Sequence, residues 1–362
     1  KGPLSGFDGD VLILYGDTPF VTAETMRRMR DRLDAPDAPA AAVVAFRPDD
    51  PKQYGRVLAD GDGTILKMVE HTDASDEERA IDLCNSGMMA VRSADLWPWL
   101  QRIGNNNAAG EYDLPDLVML AAADGRRSAV VEADADEVEG INSRAELAAA
   151  EAAWQARRRE AMMVAGVGLV APETVWFAHD TEVGRDTAIE PNVVFGPGVV
   201  VGEGVRIRAF SHIEGARIAA GAEVGPFARL RPGAEIGEGA RVGNFVEIKK
   251  ARLGAGAKAN HLAYLGDAEI GAGANIGAGT ITCNYDGFFK YETRIGDGAF
   301  IGSNSALVAP VHIGAGALVG AGSVIVRDVG DDAIALARGE QVEKAGAAKA
   351  FRERMQAKKR AM

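Results

Sequence analysis

One stretch of the sequence reads Val224-Gly-Pro-Phe-Ala-Arg-Leu230-Arg-Pro-Gly-Ala-Glu-Ile236-Gly-Glu-Gly-Ala-Arg-Val242, with a large apolar residue at every sixth position. A period of six fits neither an α-helix, which has about 3.6 residues per turn, nor a plain hairpin sheet. It is typical of a solenoid of short strands, in which each apolar anchor points inward and a small residue permits the tight corner. Three such hexapeptides would close a triangular coil of about 18 residues.

The same period continues on both sides of this stretch, from Val183 to Ile325, with a few five-residue steps. It predicts about seven or eight coils. One interruption, residues 283–293, reads Cys-Asn-Tyr-Asp-Gly-Phe-Phe-Lys-Tyr-Glu-Thr. A loop extruded from a regular prism is more often functional than accidental, and its aromatic and amide side chains suit clasping a substrate or covering a neighbouring coil. Three-sided columns also pack side by side, which predicts a homotrimer with residues of two chains in one cleft.

The region before the repeat alternates strands and helices, which is typical of an α/β domain. Residues 10–17 predict a buried strand ending in Gly16-Asp17, and a helix capped by Thr22 should follow, up to Leu33. Further strands are predicted over residues 41–46, 64–70 and 86–92. In such sheets ligands bind at the carboxyl ends of strands, where Asp17 is expected and where it could hold Mg²⁺ between phosphates. Residues 145–163 are rich in helix formers and predict one long helix.

Composition excludes several classes of protein. The chain has 362 residues, enough for two or three domains, and its net charge of -12 argues against a general nucleic-acid binder. It holds no apolar run of the roughly 18 residues that a membrane-spanning helix needs, and its two cysteines are too few for a disulfide framework. We therefore expect a cytoplasmic protein without a membrane or nucleic-acid partner. The tail from residue 341 is basic and predicts a solvated helix or disorder.

His261 is the most suggestive of five histidines, because it lies in a polar and aromatic patch, Lys258-Ala-Asn-His-Leu-Ala-Tyr264. A neutral imidazole can take a proton from an amine that attacks an acyl carbon. Stacking of coils predicts Glu247 and Lys249 about one coil below, so that Glu247 could orient the imidazole and the cations could bind a phosphorylated substrate. No two histidines have a close zinc-ligand spacing such as H-x-x-x-x-H, which argues against a zinc hydratase.

Several motifs carry a resemblance over nearly the whole chain. The most specific are Gly225-Pro-Phe-Ala-Arg-Leu-Arg-Pro-Gly233, Gly243-Asn-Phe-Val-Glu-Ile-Lys-Lys250 and Gly277-Ala-Gly-Thr-Ile-Thr-Cys-Asn-Tyr-Asp-Gly287. Shorter matches lie upstream, at residues 14–17, 54–56, 69–71, 85–87, 105–112 and 138–142. By these motifs the sequence resembles the GlmU family, the bacterial N-acetylglucosamine-1-phosphate uridyltransferases that are also glucosamine-1-phosphate N-acetyltransferases and supply precursors of the cell wall.

The resemblance implies a fold and a division of the chain. It implies an incomplete α/β nucleotidyltransferase-like, Rossmann-like domain, followed by a left-handed parallel β-helix of hexapeptide repeats. The expected limits are residues 1–144 for the uridyltransferase domain, 145–165 for a linker helix, 166–340 for the acetyltransferase domain and 341–362 for a basic tail. It also implies a homotrimer.

For the second half, the resemblance implies transfer of an acetyl group from acetyl-CoA to glucosamine 1-phosphate, with His261 as the general base. The residues implied to hold the sugar phosphate are Arg231, Lys249, Tyr264 and Asn275. Those implied to line the acetyl-CoA cleft, some from a neighbouring chain, are Ala278, Asn284, Tyr285, Ser303, Ala321 and Arg338.

For the first half, the resemblance implies that N-acetylglucosamine 1-phosphate attacks the α-phosphorus of UTP and releases pyrophosphate. Asp17 and Asn142 would be Mg²⁺ ligands. The residues implied to contact the nucleotide sugar are Tyr15, Gly16, Asp17, Gly55, Glu70, Asn85 and Asn142. The family's glycine-rich L-A-A-G-x-G-T-R-M turn does not occur in this sequence, which starts at Lys1. We therefore expect an N-terminal truncation, and a chain that acetylates but transfers uridylyl groups poorly.

Two other interpretations stay open at this point. The β-helix could be a structural scaffold of a nucleotidyltransferase, against which the cluster of His261, Lys249, Asn284 and Tyr285 speaks. A structural or ice-binding solenoid would predict a regular threonine ladder on one face, and the sequence has none.

Overall fold

The computed structural model describes residues 4, 6–105 and 110–361, so that part of the motif at 105–112 lies outside the described residues. The chain forms two compact units that divide between Ala150 and Glu151. The domain limits expected from the sequence stay predictions. The elements up to the end of the long helix are β1 (Asp10–Ile13), α1 (Ala23–Leu33), β2 (Ala41–Phe46), β3 (Arg56–Ala59), β4 (Ile65–Val69), α2 (Asp76–Arg79), β5 (Cys84–Arg92), α3 (Ser93–Leu100), α4 (Asp116–Ala123), β6 (Ser128–Glu132), α5 (Ala135–Val138) and α6 (Arg144–Val164).

The first unit is built on a mixed sheet with the order β4-β3-β5-β2-β6, and β1 pairs with β5. Strand β2 is buried along its whole length, antiparallel to β5 and parallel to β6. Helix α1 begins after Thr22, whose side chain accepts a hydrogen bond from the amide of Thr25, and it buries Met29 and Leu33. An apolar face at helical spacing and a threonine cap thus place α1 where the sequence predicts it.

Two expectations for this sheet are wrong in detail. The strand predicted over residues 10–17 ends at Ile13 and is half-buried, because it pairs with β5 and is antiparallel to it. Asp17 therefore lies in a turn after β1 rather than at the end of a parallel strand. The sequence analysis also missed β3 and β6, which are runs of only 4 and 5 residues.

The second unit is a parallel β-helix of about nine turns. Its elements are β7 (Gly168–Leu169), a 3-10 turn (Pro172–Thr174), β8 (Glu182–Val183), β9 (Ala188–Ile189), β10 (Val194–Phe195), β11 (Val200–Val201), β12 (Arg206–Ile207), β13 (His212–Ile213), β14 (Ala216–Ile218), β15 (Glu223–Val224), β16 (Arg229–Leu230), β17 (Ala234–Ile236), β18 (Arg241–Asn244), β19 (Glu247–Leu253), β20 (Lys258–His261), β21 (Tyr264–Ile270), β22 (Asn275–Ile276), β23 (Ile281–Cys283), β24 (Thr293–Ile295), β25 (Phe300–Ile301), β26 (Ala306–Val308), β27 (Val311–Ile313), β28 (Leu318–Val319), β29 (Val324–Ile325), β30 (Ile334–Ala335) and α7 (Ala347–Arg360).

The apolar anchors of the six-residue period form the core of this unit. Every predicted anchor from Ile189 to Ile325 is buried, and Val183 is half-buried. Burial of these side chains is the main free-energy gain of the solenoid, since each short strand alone cannot exclude water. The strands of the β-helix run from Gly168 to Ala335, beyond the range of the six-residue period, residues 183–325, at both ends.

One corner of the β-helix carries large side chains in a backbone conformation that favours glycine. Phe210, Phe227, Phe245 and Leu262, here called the corner ridge, have φ values of 59°, 54°, 57° and 51°. The three rings stack with centroids 4.9 Å and 5.3 Å apart. All four side chains are exposed, by 46–60%.

Candidate active sites

The imidazole of His261 lies at the end of β20, next to the corner ridge. Register pairs His261 with Asn244 of β18, which is 17 residues earlier rather than 18. The Nδ1–H of His261 donates to Oδ1 of Asn244 at 2.7 Å. With Nδ1 occupied in this way, the lone pair of the neutral ring is on Nε2, which can accept a proton.

The expectation that Glu247 orients this imidazole is wrong. The carboxylate of Glu247 accepts a hydrogen bond from Nη1 of Arg231 at 2.8 Å, and it lies 3.9 Å from Arg229. The physical reason is that Glu247 lies on a different sheet, where it pairs with Tyr264, whereas Asn244 lies opposite the imidazole. Asn244 was quoted in a motif but not recognised as a partner of the histidine.

Positive charge is concentrated on the neighbouring face, formed by β16, β19 and β21. Arg231 follows β16, and Lys249 of β19 pairs with Gly266 of β21. The pKa of Lys249 is lowered, first by Arg231 and then by Lys290 of the extruded loop. Nε of Arg231 is buried without a hydrogen-bond partner in the described part of the chain. These cations repel one another, and Glu247 alone does not neutralise them. The face is therefore suited to bind an anion such as a phosphate.

Sequence reasoning missed Lys290, although the extruded loop contains it. The loop separates β23 from β24, so that Ala268 pairs with Thr293, 25 residues later. Within the loop, Tyr285 and Lys290 form an isolated antiparallel bridge. A basic residue in a loop predicted to clasp a substrate was the available signal.

Tyr264 and Asn284 converge above one glycine. A Cβ on Gly266 would lie 2.5 Å from Oη of Tyr264 and 2.8 Å from Nδ2 of Asn284. Asn284 is buried, and its Nδ2 donates to Asp267 at 2.5 Å. A phenol and an amide are thereby held beside the cationic face, where they could bind the hydroxyl or amine groups of a sugar.

The small residues implied to line a coenzyme cleft form a column beyond His261. The amide of Asn304 donates to the carbonyl of Ala278, and the amide of Gly322 donates to the carbonyl of Ser303. These bonds place Ala278, Ser303 and Ala321 at the same corner position in successive coils. Nη1 of Arg338 donates to the carbonyl of Ala321 at 2.7 Å. The corner therefore carries short side chains, and the Arg338 guanidinium lies at the far end of this column.

Two of the implied residues lie apart from these clusters within one chain. Asn275 belongs to β22, which pairs with β20 in a different sheet from the one that carries Lys249. Tyr285 is exposed in the extruded loop, and its hydroxyl donates to the carbonyl of Gly287 at 2.6 Å.

The first unit contains a cavity of about 480 Å³ at the turn after β1. Of the residues implied to contact a nucleotide sugar, it is lined by Tyr15, Asp17, Gly55, Glu70, Asn85 and Asn142, with Gly16 between the first two. Residues that sequence reasoning did not assign also line it, among them Gln53, Gly87, Tyr112, Asp113 and Gly140.

Two glycines line this cavity at close contacts, and the backbone of Gly87 favours glycine. Gly87 has a φ of 82°, and a Cβ there would lie 2.3 Å from the ring of Tyr15. A Cβ on Gly55 would lie 3.1 Å from the carboxylate of Glu70. Burial raises the pKa of Glu70, and Asp113 raises it further, because neighbouring carboxylates disfavour a second charge.

Asp17 and Asn142 are 125 positions apart in the sequence and are brought together by backbone contacts. The amide of Ile141 donates to the carbonyl of Asp17 at 2.9 Å. Glu146, in the first turn of α6, accepts from the amide of Asn142 at 2.6 Å. Oδ2 of Asp17 and Nδ2 of Asn142 lie 3.4 Å and 3.8 Å from the position of a Cβ on Gly140.

This donor set fits Mg²⁺, which is usually bound by one or two carboxylates together with substrate phosphates. The described residues contain no group of three or more His, Cys, Asp and Glu side chains that could hold a metal without such a substrate. None of the described helices has the length and the apolar character needed to cross a bilayer.

Comparison with known proteins agrees with both units. Residues 180–215, 215–250 and 292–327 match the family described as bacterial transferase hexapeptide (six repeats). "Bifunctional protein GlmU" of Sphingopyxis alaskensis is 67% identical over 361 residues, which cover 100% of this chain and 80% of that protein. The protein of the same name from Zymomonas mobilis is 60% identical, over 99% of this chain and 80% of its own length.

Solved structures also resemble parts of the chain. LpxA, a UDP-N-acetylglucosamine acyltransferase from Bacteroides fragilis, is 21% identical with a TM-score of 0.38, over 43% of this chain and 67% of that one. CMP:2-keto-3-deoxy-manno-octonic acid synthetase is 18% identical with a TM-score of 0.32, over 41% of this chain and 63% of that one.

An α/β unit with a polar cavity, followed by a hexapeptide β-helix with a cationic face, fits a transferase with two catalytic units. Identity of 53–68% over nearly the whole chain is specific enough to name the family. The chain belongs to the GlmU family, and it is an enzyme with acetyltransferase and uridyltransferase functions. The interpretation of the β-helix as a structural scaffold is not favoured.

Proposed function

We propose that the β-helix unit transfers an acetyl group from acetyl-CoA to the amine of glucosamine 1-phosphate, with His261 as the general base. The observation that carries this proposal is the hydrogen bond from Nδ1 of His261 to Asn244, which leaves Nε2 as a proton acceptor beside an anion-binding face. Arg231 and Lys249, with Lys290, would hold the phosphate, and Tyr264 would hold the sugar. Asn284, which the resemblance assigns to the acetyl-CoA cleft, is proposed here to contact the sugar instead, because its amide lies beside the Tyr264 hydroxyl above Gly266.

In this reaction the amine nitrogen attacks the thioester carbon of acetyl-CoA. The N–C bond forms, the C–S bond breaks, and Nε2 of His261 takes the proton that the amine loses. His261 then gives this proton to the departing thiolate, so that coenzyme A leaves as the thiol and the ring returns to its neutral form. The base is therefore regenerated in each turnover.

The column of Ala278, Ser303 and Ala321 would contact the extended arm of acetyl-CoA, with Arg338 near its anionic end and Tyr285 reaching over from the loop. Asn275 would contact the sugar phosphate; its strand pairs with β20, which carries His261. The corner ridge supports a homotrimer. Exposed aromatic side chains at positive φ are costly in a monomer and gain burial when a second copy covers them.

The first unit would bind UTP and N-acetylglucosamine 1-phosphate in the cavity of about 480 Å³. Asp17 and Asn142 would hold Mg²⁺, which supplies charge stabilisation at the phosphates. Tyr15, Asn85 and Glu70 would orient the nucleotide and the sugar so that the sugar phosphate faces the α-phosphorus in line.

A thiol-release assay with acetyl-CoA and glucosamine 1-phosphate tests the proposal for the β-helix unit. The wild-type chain should release coenzyme A, and His261→Ala should lower kcat by roughly 10²–10⁴-fold, which is the usual contribution of a positioned base. His179→Ala is the matched control, because His179 is exposed in an early coil outside the cluster. A folded wild-type chain that releases no coenzyme A, or a His261→Ala variant within threefold of wild type (about the noise of such a comparison), would contradict the proposal.

A further inference from the structure

Thr282 is a hydroxyl among the apolar anchors of the β-helix. It occupies an inward position in β23, pairs with Leu307 and is 1% exposed. A buried hydroxyl costs free energy unless it is hydrogen-bonded. Its Oγ1 accepts from the amide of Gly266 at 2.8 Å and donates to the carbonyl of Gly266 at 3.0 Å. Both polar groups of one glycine are thus satisfied by one side chain.

The reason for this arrangement is the extruded loop. Between β21 and β23, strand pairing consists of Tyr264 opposite Ile281. The chain then turns out of the coil, and the carbonyl of Thr282 accepts from the amide of Asn284 at 3.0 Å. Among the described residues, Gly266 therefore has no paired residue in β23, and the threonine hydroxyl takes the place of the missing backbone partner.

Gly266 is also the residue above which Tyr264 and Asn284 converge. A Cβ at Gly266 would lie 2.5 Å from the phenol oxygen and 2.8 Å from the amide nitrogen. The position of the Gly266 backbone consequently sets how close both side chains come to the cationic face. We propose that Thr282 and Gly266 are positioning residues for binding of the acetyl acceptor, acting through Tyr264 and Asn284. This inference rests on the proposed acetyl transfer.

Three variants and one matched control test the inference. Thr282→Val removes the hydroxyl at nearly constant volume, Thr282→Ser keeps it, and Gly266→Ala adds the Cβ. Thr187→Val is the control: Thr187 is also buried, accepts from the amide of Val205 at 3.1 Å and donates to the carbonyl of Gly202 at 2.9 Å, in an early coil. The kinetics of glucosamine 1-phosphate and the thermal unfolding midpoint are measured for each.

Thr282→Val and Gly266→Ala should lower kcat/KM for glucosamine 1-phosphate on the order of 10- to 100-fold, mainly by raising KM, because a misplaced contact loses substrate orientation. Thr282→Ser should stay within about threefold of wild type. Thr187→Val should lose a comparable amount of thermal stability while its acceptor kinetics stay within about twofold. Equal kinetic losses in Thr282→Val and Thr187→Val would overturn the inference and leave Thr282 a structural residue.

A crystal structure of Thr282→Val separates this inference from the proposed function. If the wild-type chain releases no coenzyme A, the proposed acetyl transfer fails, and the structure still decides the positioning role. Displacement of the Tyr264 hydroxyl and the Asn284 amide from above Gly266 supports it. Side chains that remain in place in the folded variant overturn it.

Discussion

The side chain of Lys249 is surrounded by more positively than negatively charged groups. Arg231 is the largest cause of its lowered pKa and Lys290 the next, and Glu247 is already hydrogen-bonded to Arg231. As the pH rises, Lys249 therefore loses its proton earlier than a lysine in water, and attraction of a phosphate weakens from that lower pH onward. The mutual repulsion is the consequence of placing three cations where a phosphate is proposed to bind.

Replacing Lys290 by glutamine should raise the pKa of Lys249 towards the usual value of a lysine, because one repelling charge is removed. The pKa is measured by the pH dependence of the Lys249 Cε chemical shift in protein labelled with ¹³C-lysine. Lys258→Gln is the matched control, since Lys258 is an exposed lysine in a different sheet and does not contribute to the shift. An unchanged or lower pKa in Lys290→Gln would show that the loop lysine does not act on Lys249 in solution.

The place of a single side chain in the fold could be predicted from the sequence only where a pattern constrains it. The six-residue period predicted the buried anchors, since every sixth side chain must leave water for the coil to be stable. The period could not reveal which polar side chain faces the imidazole: register places Asn244 opposite His261, while Glu247 pairs with Tyr264 in the neighbouring sheet. Gly266 was equally hidden, because its function depends on space that two other side chains fill.

At the scale of elements, helix α6 covers the first coil of the β-helix and satisfies its backbone groups. The side chain of Gln155 is 0% exposed; its Nε2 donates to the carbonyl of Phe177 at 2.7 Å, and its Oε1 accepts from the amide of Phe177 at 3.0 Å. The first coil has no preceding strand to satisfy these groups, and Met162 of the same helix joins the core of the β-helix. The many helix-forming residues in 145–163 predicted the helix but not which side chain closes the coil.

Gln155→Leu should destabilise the β-helix by about 2–4 kcal/mol, because the amide and the carbonyl of Phe177 are both left buried without a partner. The measurement is the urea midpoint of the β-sheet signal in far-ultraviolet circular dichroism. Gln356→Leu is the matched control, since Gln356 is exposed in α7 and should leave the midpoint unchanged. A Gln155→Leu midpoint equal to that of the control would mean that other groups or water satisfy Phe177.

At the scale of the whole molecule, the β-helix was easier to predict than the first unit. Its contacts repeat along the sequence, whereas those of the mixed sheet do not. Hexapeptides repeat the same contact in successive coils, so each repeat reinforces the interpretation. The mixed sheet of the first unit depends on pairings such as β2 with β6, which are distant in sequence and leave no periodic trace. Strands β3 and β6 were missed for this reason, and Asp17 was placed at a strand end that the structure does not have.

The corner ridge is the surface at which we expect copies of the chain to meet. Removing one of its aromatic rings is the most direct test of the proposed trimer. Asn192 has a φ of 59°, like the ridge residues, so Phe227→Asn should leave the backbone conformation intact while removing an exposed aromatic ring. If copies meet at the ridge, sedimentation should show dissociation of the trimer at lower protein concentration, and acetyl transfer should fall with the dissociated fraction. Phe351→Asn, an equally exposed phenylalanine in α7, should change neither. Unchanged association and activity in a folded Phe227→Asn chain would place the contact between copies on another face of the prism.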